Sequence, residues 1–541
     1  MNLLNNKTLP LLFVAISSIT LSACSTQASK RQSLATGTEA KACTRGSLRR
    51  GDCKLPGLPT ADTVVTEDKN DLWYHVTSGY QLTQHAAHPK AKKYFEYFRD
   101  RPTYLSTIAE RSSPYLYYIV EAIRKRNMPM EFALLPAIES SYDPFAYSHG
   151  RAAGLWQFVP ITATHMGLPR TWWYDARRDV VASTEAALDY LLELHQRFDG
   201  DWLLAMAAYN SGATTVLRAM AKNERAGRPT DYWSLDLPRE TEAYIPKLIG
   251  LSQLIKRAKY EGIDLEPMPN TAAFAVVDTG GQIDLAQAAE LAGVSIEQLY
   301  RLNPGFNRWA TDPNGPHHLA IPLDKQQQFT ERLSQIPPEK RLNWSRYRVV
   351  SGDSLIKIAR RFNTDVATIK AANQLNNSMI RAGQVLMLPS ASMAAAHYSL
   401  SADQRLASAQ KRGESDDRVA HQHTVEQGDS LWTISRRYGV SVNDLARWNN
   451  MVPKDPLRAG KKLVVWKPAG QQVAVRSAAS RSIIRWIGYT VRPGDSLARI
   501  ADKFSLSVND ILEWNEISKG KYLMPGQVLN LYVDVTQVSG R

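Results

Sequence analysis

The stretch EFALLPAIESSYDPFAYSHGRAAGLWQFVPITA, residues 131–163, decides how the rest of the chain is read. Phe132, Leu134, Leu135 and Ile138 recur at helical spacing, which predicts a short helix that buries one face and brings Glu139 out at its C-terminal end, beside Ser140. A carboxylate half sunk in apolar surroundings loses solvation of its charged form. Its pKa then rises toward the range that a general acid needs near neutral pH. Alone, the same residues also describe a solvated Glu closing a helix, and the segments around them must decide. Asp143 lies four residues on, but Pro144 and the preceding Ser-Tyr turn the chain away, so Asp143 is read as a loop residue.

Outward from this stretch the chain is helical. Residues 71–126 form a helical preface whose aromatics (Tyr94, Phe95, Tyr97, Phe98, Tyr115, Tyr117, Tyr118) are assigned to packing. Downstream, Asp179 is placed to cap a helix with the stripe Val181, Leu188, Leu191, Leu192 and Leu194. Asp201 caps a second, Trp202 to Tyr209, which Asn210-Ser211-Gly212 ends. A third, Glu240 to Arg257, buries Tyr244, Leu248, Leu251 and Leu254. No alternating strand pattern interrupts residues 127–262, so this domain is expected to be all-α.

Beyond it the period changes and three repeats appear, at 347–389, 423–466 and 489–533. Each opens with a short strand and a Gly-Asp-Ser turn (Gly352, Gly428 and Gly494), and each places an Asn 21 residues after the turn glycine: Asn373, Asn449 and Asn515. Apolar residues between turn and Asn recur at helical spacing, and a glycine with a short apolar strand closes each unit, near Gly383, Gly460 and Gly526. The expected fold is strand, helix, helix, strand. A worn fourth copy is read at 270–325, where Leu285 and Asn303 keep the 18-residue interval of Leu355 and Asn373 without the Gly-Asp-Ser turn. Residues 390–422 and 468–485, rich in Ala, Ser, Gln and charge, are read as linkers that let the modules move independently.

At 541 residues the chain exceeds one hydrophobic core, and 44% hydrophobic with 22% charged residues is ordinary for a soluble multidomain protein. A net charge of +14 implies attraction to a polyanion, nucleic acid or an anionic wall polymer, and no nucleic-acid module favours the first. Leu9 to Ala23, behind Lys7, has the form of a signal-peptide core, so residues 1–23 are read as a leader. Its end, Leu21-Ser22-Ala23-Cys24, resembles a bacterial lipobox, which implies a lipid on Cys24. The following Ser25, rather than Asp, points by the same resemblance to the outer membrane. Residues 24–70 read as a flexible tether, in which Cys43 and Cys53 could close a small loop as a disulfide in an oxidising periplasm. No metal or organic cofactor is implied: His317-His318 stand alone and His149 lacks companions at zinc spacing.

Glu139-Ser140, Gly154-Leu155-Trp156-Gln157-Phe158, Ala207-Ala208-Tyr209-Asn210-Ser211-Gly212 and Glu240-Thr241-Glu242-Ala243-Tyr244-Ile245-Pro246-Lys247 together resemble the family 1 lytic transglycosylases, most nearly the membrane-bound murein transglycosylase D type. The repeats resemble LysM modules, which bind N-acetylglucosamine-containing glycans. The resemblance implies a lysozyme-like catalytic domain with a glycan-binding tail. Its substrate would be peptidoglycan, cleaved between N-acetylmuramic acid and N-acetylglucosamine without water to leave a 1,6-anhydro end. It also implies roles: Glu139 as acid and then base, Ser140 orienting Glu139 or substrate through its hydroxyl, and Gln157 binding an acetamido group. Tyr209 and Asn210 would line the sugar site, and Tyr244 would hydrogen-bond Glu139. Where the family often has Met this chain has Trp156. Two other readings stay open: a muramidase that hydrolyses, and a noncatalytic wall-binding scaffold.

Overall fold

In the computed structural model the described residues are 68–534, apart from 149, 454, 470–483, 505, 516 and 518–522. The leader, Cys24, Cys43, Cys53, all of the tether before residue 68, His149 and most of 468–485 lie outside them. Asp71 starts the first helix, its carboxylate accepting the Trp73 amide at 3.0 Å and, from far along the chain, the Met268 amide at 3.1 Å. The preface comprises α1 (Leu72–Ser78), α2 (Pro89–Arg99), α3 (Pro102–Ser112) and α4 (Leu116–Lys125). Phe98 and Tyr115 are buried, and Tyr94, Phe95, Tyr117 and Tyr118 pack at the edge of the same core. Tyr97 differs: it is 46% exposed and lies under the Arg101 guanidinium, 3.8 Å from the ring centre.

A 3-10 turn, Met130–Leu134, leads into α5 (Leu135–Ser140). Glu131 in that turn is fully buried and accepts the amides of Gln81 and Leu82 at 3.0 and 2.7 Å, which ties the entry of α5 to the preface. Helix α5 ends because Ser141 and Tyr142 both adopt left-handed conformations, with φ of 52° and 55°. The chain reverses there, and buried Tyr142 donates its hydroxyl back to the Ala133 carbonyl. After α6 (Pro160–His165) come α7 (Val180–Arg197), α8 (Trp202–Ser211), α9 (Ala213–Arg225) and α10 (Arg239–Arg257). Asp179 and Asp201 cap α7 and α8. Helices α10 and α2 run in contact, and a Cβ on Gly250 would stand 2.7 Å from the Phe95 amide nitrogen, so this approach requires glycine.

The tail holds four strand–helix–helix–strand units, each closed by an antiparallel pair: 274–278 with 318–322, 343–348 with 385–390, 418–424 with 462–468, and 484–490 with 528–534. The repeated asparagine explains why they share a fold. Asn449 donates to the carbonyls of Leu445 and Val464, both at 2.8 Å, and accepts the Val464 amide at 2.8 Å, stitching a helix end to the closing strand. Asn373 and Asn515 repeat the pattern. So does Asn303, on Leu299 and Ala320, which places 270–325 in the same fold despite its lost turn. The turn aspartates Asp353, Asp429 and Asp495 accept from a strand residue, Tyr347, His423 and Tyr489 respectively, and from a turn amide, so they shape the loop.

Residues 390–422 depart from the linker expected of them. They contain a helix, Ala402–Lys411, and buried Tyr398, whose hydroxyl lies 3.0 and 2.9 Å from the Asp284 carboxylate oxygens. Asp403 pairs with Arg308 at 2.6 Å. Independent motion of the modules is likewise not what the contacts describe. Trp173 donates to Asp365 at 2.6 Å and Trp309 to the Asn363 carbonyl at 2.9 Å, so the helical domain, the worn copy and the first repeat are hydrogen-bonded together. Composition misled because a few side chains anchor an otherwise polar segment. No helix among the described residues is long and apolar enough to cross a membrane.

Candidate functional site

A cleft of about 690 Å³ opens where α5, α8 and α10 meet the loop 143–159. Glu139 faces it from the last turn of α5, and Gln157, Tyr190, Tyr209, Asn210, Glu240, Tyr244 and Lys247 help to line it. Helix α10 supplies Glu240, Tyr244 and Lys247 at helical spacing, one face turned to the cleft.

The Tyr244 hydroxyl donates to Glu139 Oε1 at 2.5 Å. Burial pushes the Glu139 carboxyl up to about 7, with the Glu240 charge adding to it, while the Tyr244 hydrogen bond and the Lys247 charge pull the other way. The Tyr244 phenol is itself held well above its usual value by burial and by the adjacent Glu139, so it remains a neutral donor. Such a carboxyl holds a proton for about half the time at neutral pH. It can therefore deliver the proton and take one back.

The loop carrying Gln157 is fastened from below. A Cβ on Gly154, at φ 82°, would fall 2.0 Å from the Arg177 carbonyl oxygen, so the loop sits directly on that backbone. Buried Arg177 donates to the Arg151 and Phe158 carbonyls at 2.8 and 3.2 Å and to Asp175 at 2.9 and 2.8 Å. Gln157 is left-handed at φ 49°, and its Nε2 donates to the Gly154 carbonyl at 2.9 Å. Trp156 does not shape the cleft: it is fully buried, with Nε1 donating to Thr184 at 2.9 Å.

Ser140 differs from its expected role. Its single hydroxyl proton is shared between the carbonyls of Pro136 and Leu155, at 3.1 and 3.0 Å, joining the end of α5 to the Gln157 loop rather than touching Glu139. Tyr209 donates to the Trp156 carbonyl at 2.8 Å, and Asn210 Oδ1 accepts the Thr241 hydroxyl at 2.8 Å. Both line the cleft while bracing it. Asp143 is not among the cleft residues; its carboxylate accepts the Phe145 amide at 2.9 Å. The second carboxylate of the cleft is Glu240, which sequence reasoning passed over although the i, i+4 spacing to Tyr244 was a usable signal.

Comparison with known proteins identifies the class first. Residues 117–231 match the transglycosylase SLT domain, residues 273–338 the LysM-like domain of lytic transglycosylase MltD, and 347–389, 423–466 and 489–531 the LysM domain. Tyr244 and the rest of α10 lie past the SLT match yet complete its cleft. The chain is 38% identical over 376 residues to membrane-bound lytic murein transglycosylase D of Escherichia coli strain K12, covering 67% of this chain and 79% of that protein, and it belongs to that family. The chain is also similar, at 30% identity over 185 residues (34% of this chain, 23% of the other), to an autolysin of Enterococcus faecalis. With the cell wall-binding protein YocH of Bacillus subtilis it shares 35% over 99 residues, 18% of this chain and 30% of the other.

Proposed function

We propose that the chain cleaves the β-1,4 bond after N-acetylmuramic acid in peptidoglycan by lytic transglycosylation, with Glu139 as its single acid–base catalyst. The observation that carries this is the Glu139–Tyr244 pair, a carboxyl poised at about 7 in a cleft and held by a neutral phenol. Protonated Glu139 gives its proton to the glycosidic oxygen as the C1–O bond breaks, and the N-acetylglucosamine side leaves. The acetamido carbonyl of the muramic acid supports C1 from the other face. The Glu139 carboxylate then takes the C6 hydroxyl proton as O6 attacks C1, which closes the 1,6-anhydro ring and returns Glu139 to its acid form. An internal nucleophile brings its own effective concentration, so no second carboxylate is required to activate water. Gln157 and Asn210 offer amides to an acetamido group, and Tyr209 braces the wall beside them.

The three clear LysM modules would hold N-acetylglucosamine-containing strands, gaining in attachment by multiplicity. The Leu21-Ser22-Ala23-Cys24 sequence supports a lipid anchor on Cys24 at the periplasmic face of an outer membrane. The test is mass spectrometry of muropeptides released from purified peptidoglycan by the chain starting after Cys24, with Glu139→Gln beside it. Products ending in 1,6-anhydro-muramic acid, lost in the variant, are expected. Reducing ends carrying the elements of water would make it a muramidase, and wall binding without cleavage would make it a scaffold.

A further inference from the structure

One wall of the cleft is the loop 143–153, which contributes Ser148, Gly150 and Ala152. Its own closure is local: Tyr147 and Ala153 form an isolated bridge, the Ser148 amide donates to the Ala152 carbonyl at 3.0 Å and the Arg151 amide to the Ser148 carbonyl at 2.8 Å, Ser148 Oγ accepts the Ala152 amide at 3.2 Å, and Arg177 holds the Arg151 carbonyl from below. Two residues from the distant tail hold it as well. The Arg405 guanidinium, on the helix Ala402–Lys411, lies 4.7 Å from the centre of the Phe145 ring. In the second LysM module Asp455 accepts the Tyr147 hydroxyl at 3.1 Å and faces Arg151 Nε at 3.5 Å. That Nε is buried and has no hydrogen-bond partner, so the Asp455 carboxylate is its charge partner.

Asp455 reaches the loop from a fixed base. Its other oxygen accepts the Val452 amide at 3.0 Å, its side chain is 11% exposed, and its module is seated on the preceding helix through Trp466 Nε1, which donates to the Gln410 carbonyl at 2.6 Å. A Cβ on Gly413, two residues past the end of that helix, would fall 2.1 Å from the Trp466 ring, so the module packs closely on the chain where it leaves the helix. The module is thus attached at two places, one of them the cleft wall.

We propose that the second LysM module is docked as an outer support of the substrate cleft, with Asp455 as a positioning residue that sets the loop 143–153 for glycan. This rests on the function proposed above. A module that only tethers glycan raises its local concentration and cannot affect a strand too short to reach it. A docked support acts on every substrate that enters the cleft.

The experiment uses the full chain after Cys24 carrying Asp455→Asn, which keeps an oxygen for the Val452 amide while removing the charge opposite Arg151. Tyr147→Phe, which deletes one hydroxyl, is the second variant. Amide hydrogen exchange of residues 143–153 is measured beside kcat and KM on a peptidoglycan tetrasaccharide. Asp455→Asn is expected to speed exchange in the loop roughly two- to fivefold and to lower kcat/KM on the tetrasaccharide by a similar factor. Tyr147→Phe should move both in the same direction by less. Unchanged exchange and tetrasaccharide kinetics in both variants, including a loss seen only on whole sacculi, would overturn the proposal. Absence of any cleavage by the unsubstituted chain would instead sink the proposed function, and the exchange data would still decide the docking.

Discussion

Tyr244→Phe removes one hydroxyl from the cleft, and its effect on the pH profile can be worked from the geometry. The bond it deletes, 2.5 Å to Glu139 Oε1, favours the carboxylate form and opposes the burial that lifts Glu139 to about 7. A hydrogen bond to a charged group is worth about 1.5–3 kcal/mol, and about 1.4 kcal/mol corresponds to one pH unit, so the Glu139 pKa should climb by about one to two pH units. Only protonated Glu139 can protonate the leaving oxygen, so activity falls on the alkaline side of its pKa. In the variant that alkaline limb should move to higher pH. The plateau should fall roughly tenfold, because the carboxylate formed midway is less well held and less well aimed. Chromatographic rates of 1,6-anhydro product formation from a defined glycan, taken across the pH range on both proteins, measure limb and plateau together. A limb that stays in place, or moves to lower pH, would refute the reasoning, since Tyr244 would then not be stabilising the Glu139 carboxylate.

Glu240→Gln removes the negative charge that helps to raise Glu139, so the alkaline limb should move down by about half a pH unit while the product remains 1,6-anhydro. Mass spectrometry of the products tests the second half: reducing ends lost in this variant would mean that Glu240 activates water. Asn449→Ala breaks three hydrogen bonds inside the second LysM module and should destabilise it by about 2–4 kcal/mol, read as faster exchange across 423–466 and, through loss of the Asp455 support, across 143–153, with the rest of the helical domain unaffected. Glu139→Gln should stabilise the fold at high pH. The folded carboxyl sits near 7 against an ordinary 4.5, so the folded state binds the proton more tightly, and stability is lost as pH rises from 4.5 to about 7. Calorimetry should therefore find the variant more stable by about 3 kcal/mol at pH 8 and nearly equal at pH 4.

The all-α domain and the repeated tail were legible because both rest on periodic signals: apolar stripes with Asp179 and Asp201 at the helix starts, and an asparagine at a constant interval from a turn. The position of Glu139 at a helix end was legible for the same reason. What stayed hidden is non-local. Nothing local in the sequence marks Glu131 for burial, yet it is buried because the amides of Gln81 and Leu82, 50 and 49 residues away, donate to it. Ser140 sits beside Glu139 in sequence, but the left-handed Ser141 and Tyr142 turn the chain so that its hydroxyl meets Leu155 instead. The segment 390–422 has the composition of a linker, and Tyr398, Asp403 and Arg405 fix it through partners in other modules. Averages over a window cannot register three side chains.

A lone carboxyl that must first give a proton and then take one needs a pKa near the working pH, and no single influence sets it there. Burial alone would keep Glu139 protonated through the second half of the reaction. A donor alone would keep it ionised through the first. The cleft opposes the two, and helix α10 carries the adjustment: Tyr244 stabilises the carboxylate, Glu240 disfavours it, and Lys247 again favours it. The register of α10 against Glu139 is therefore a chemical variable. That register is held by the packing of α10 on α2 at Gly250, where no side chain fits. The preface helices are thus part of the machinery that tunes Glu139, although they contribute no residue to the cleft lining.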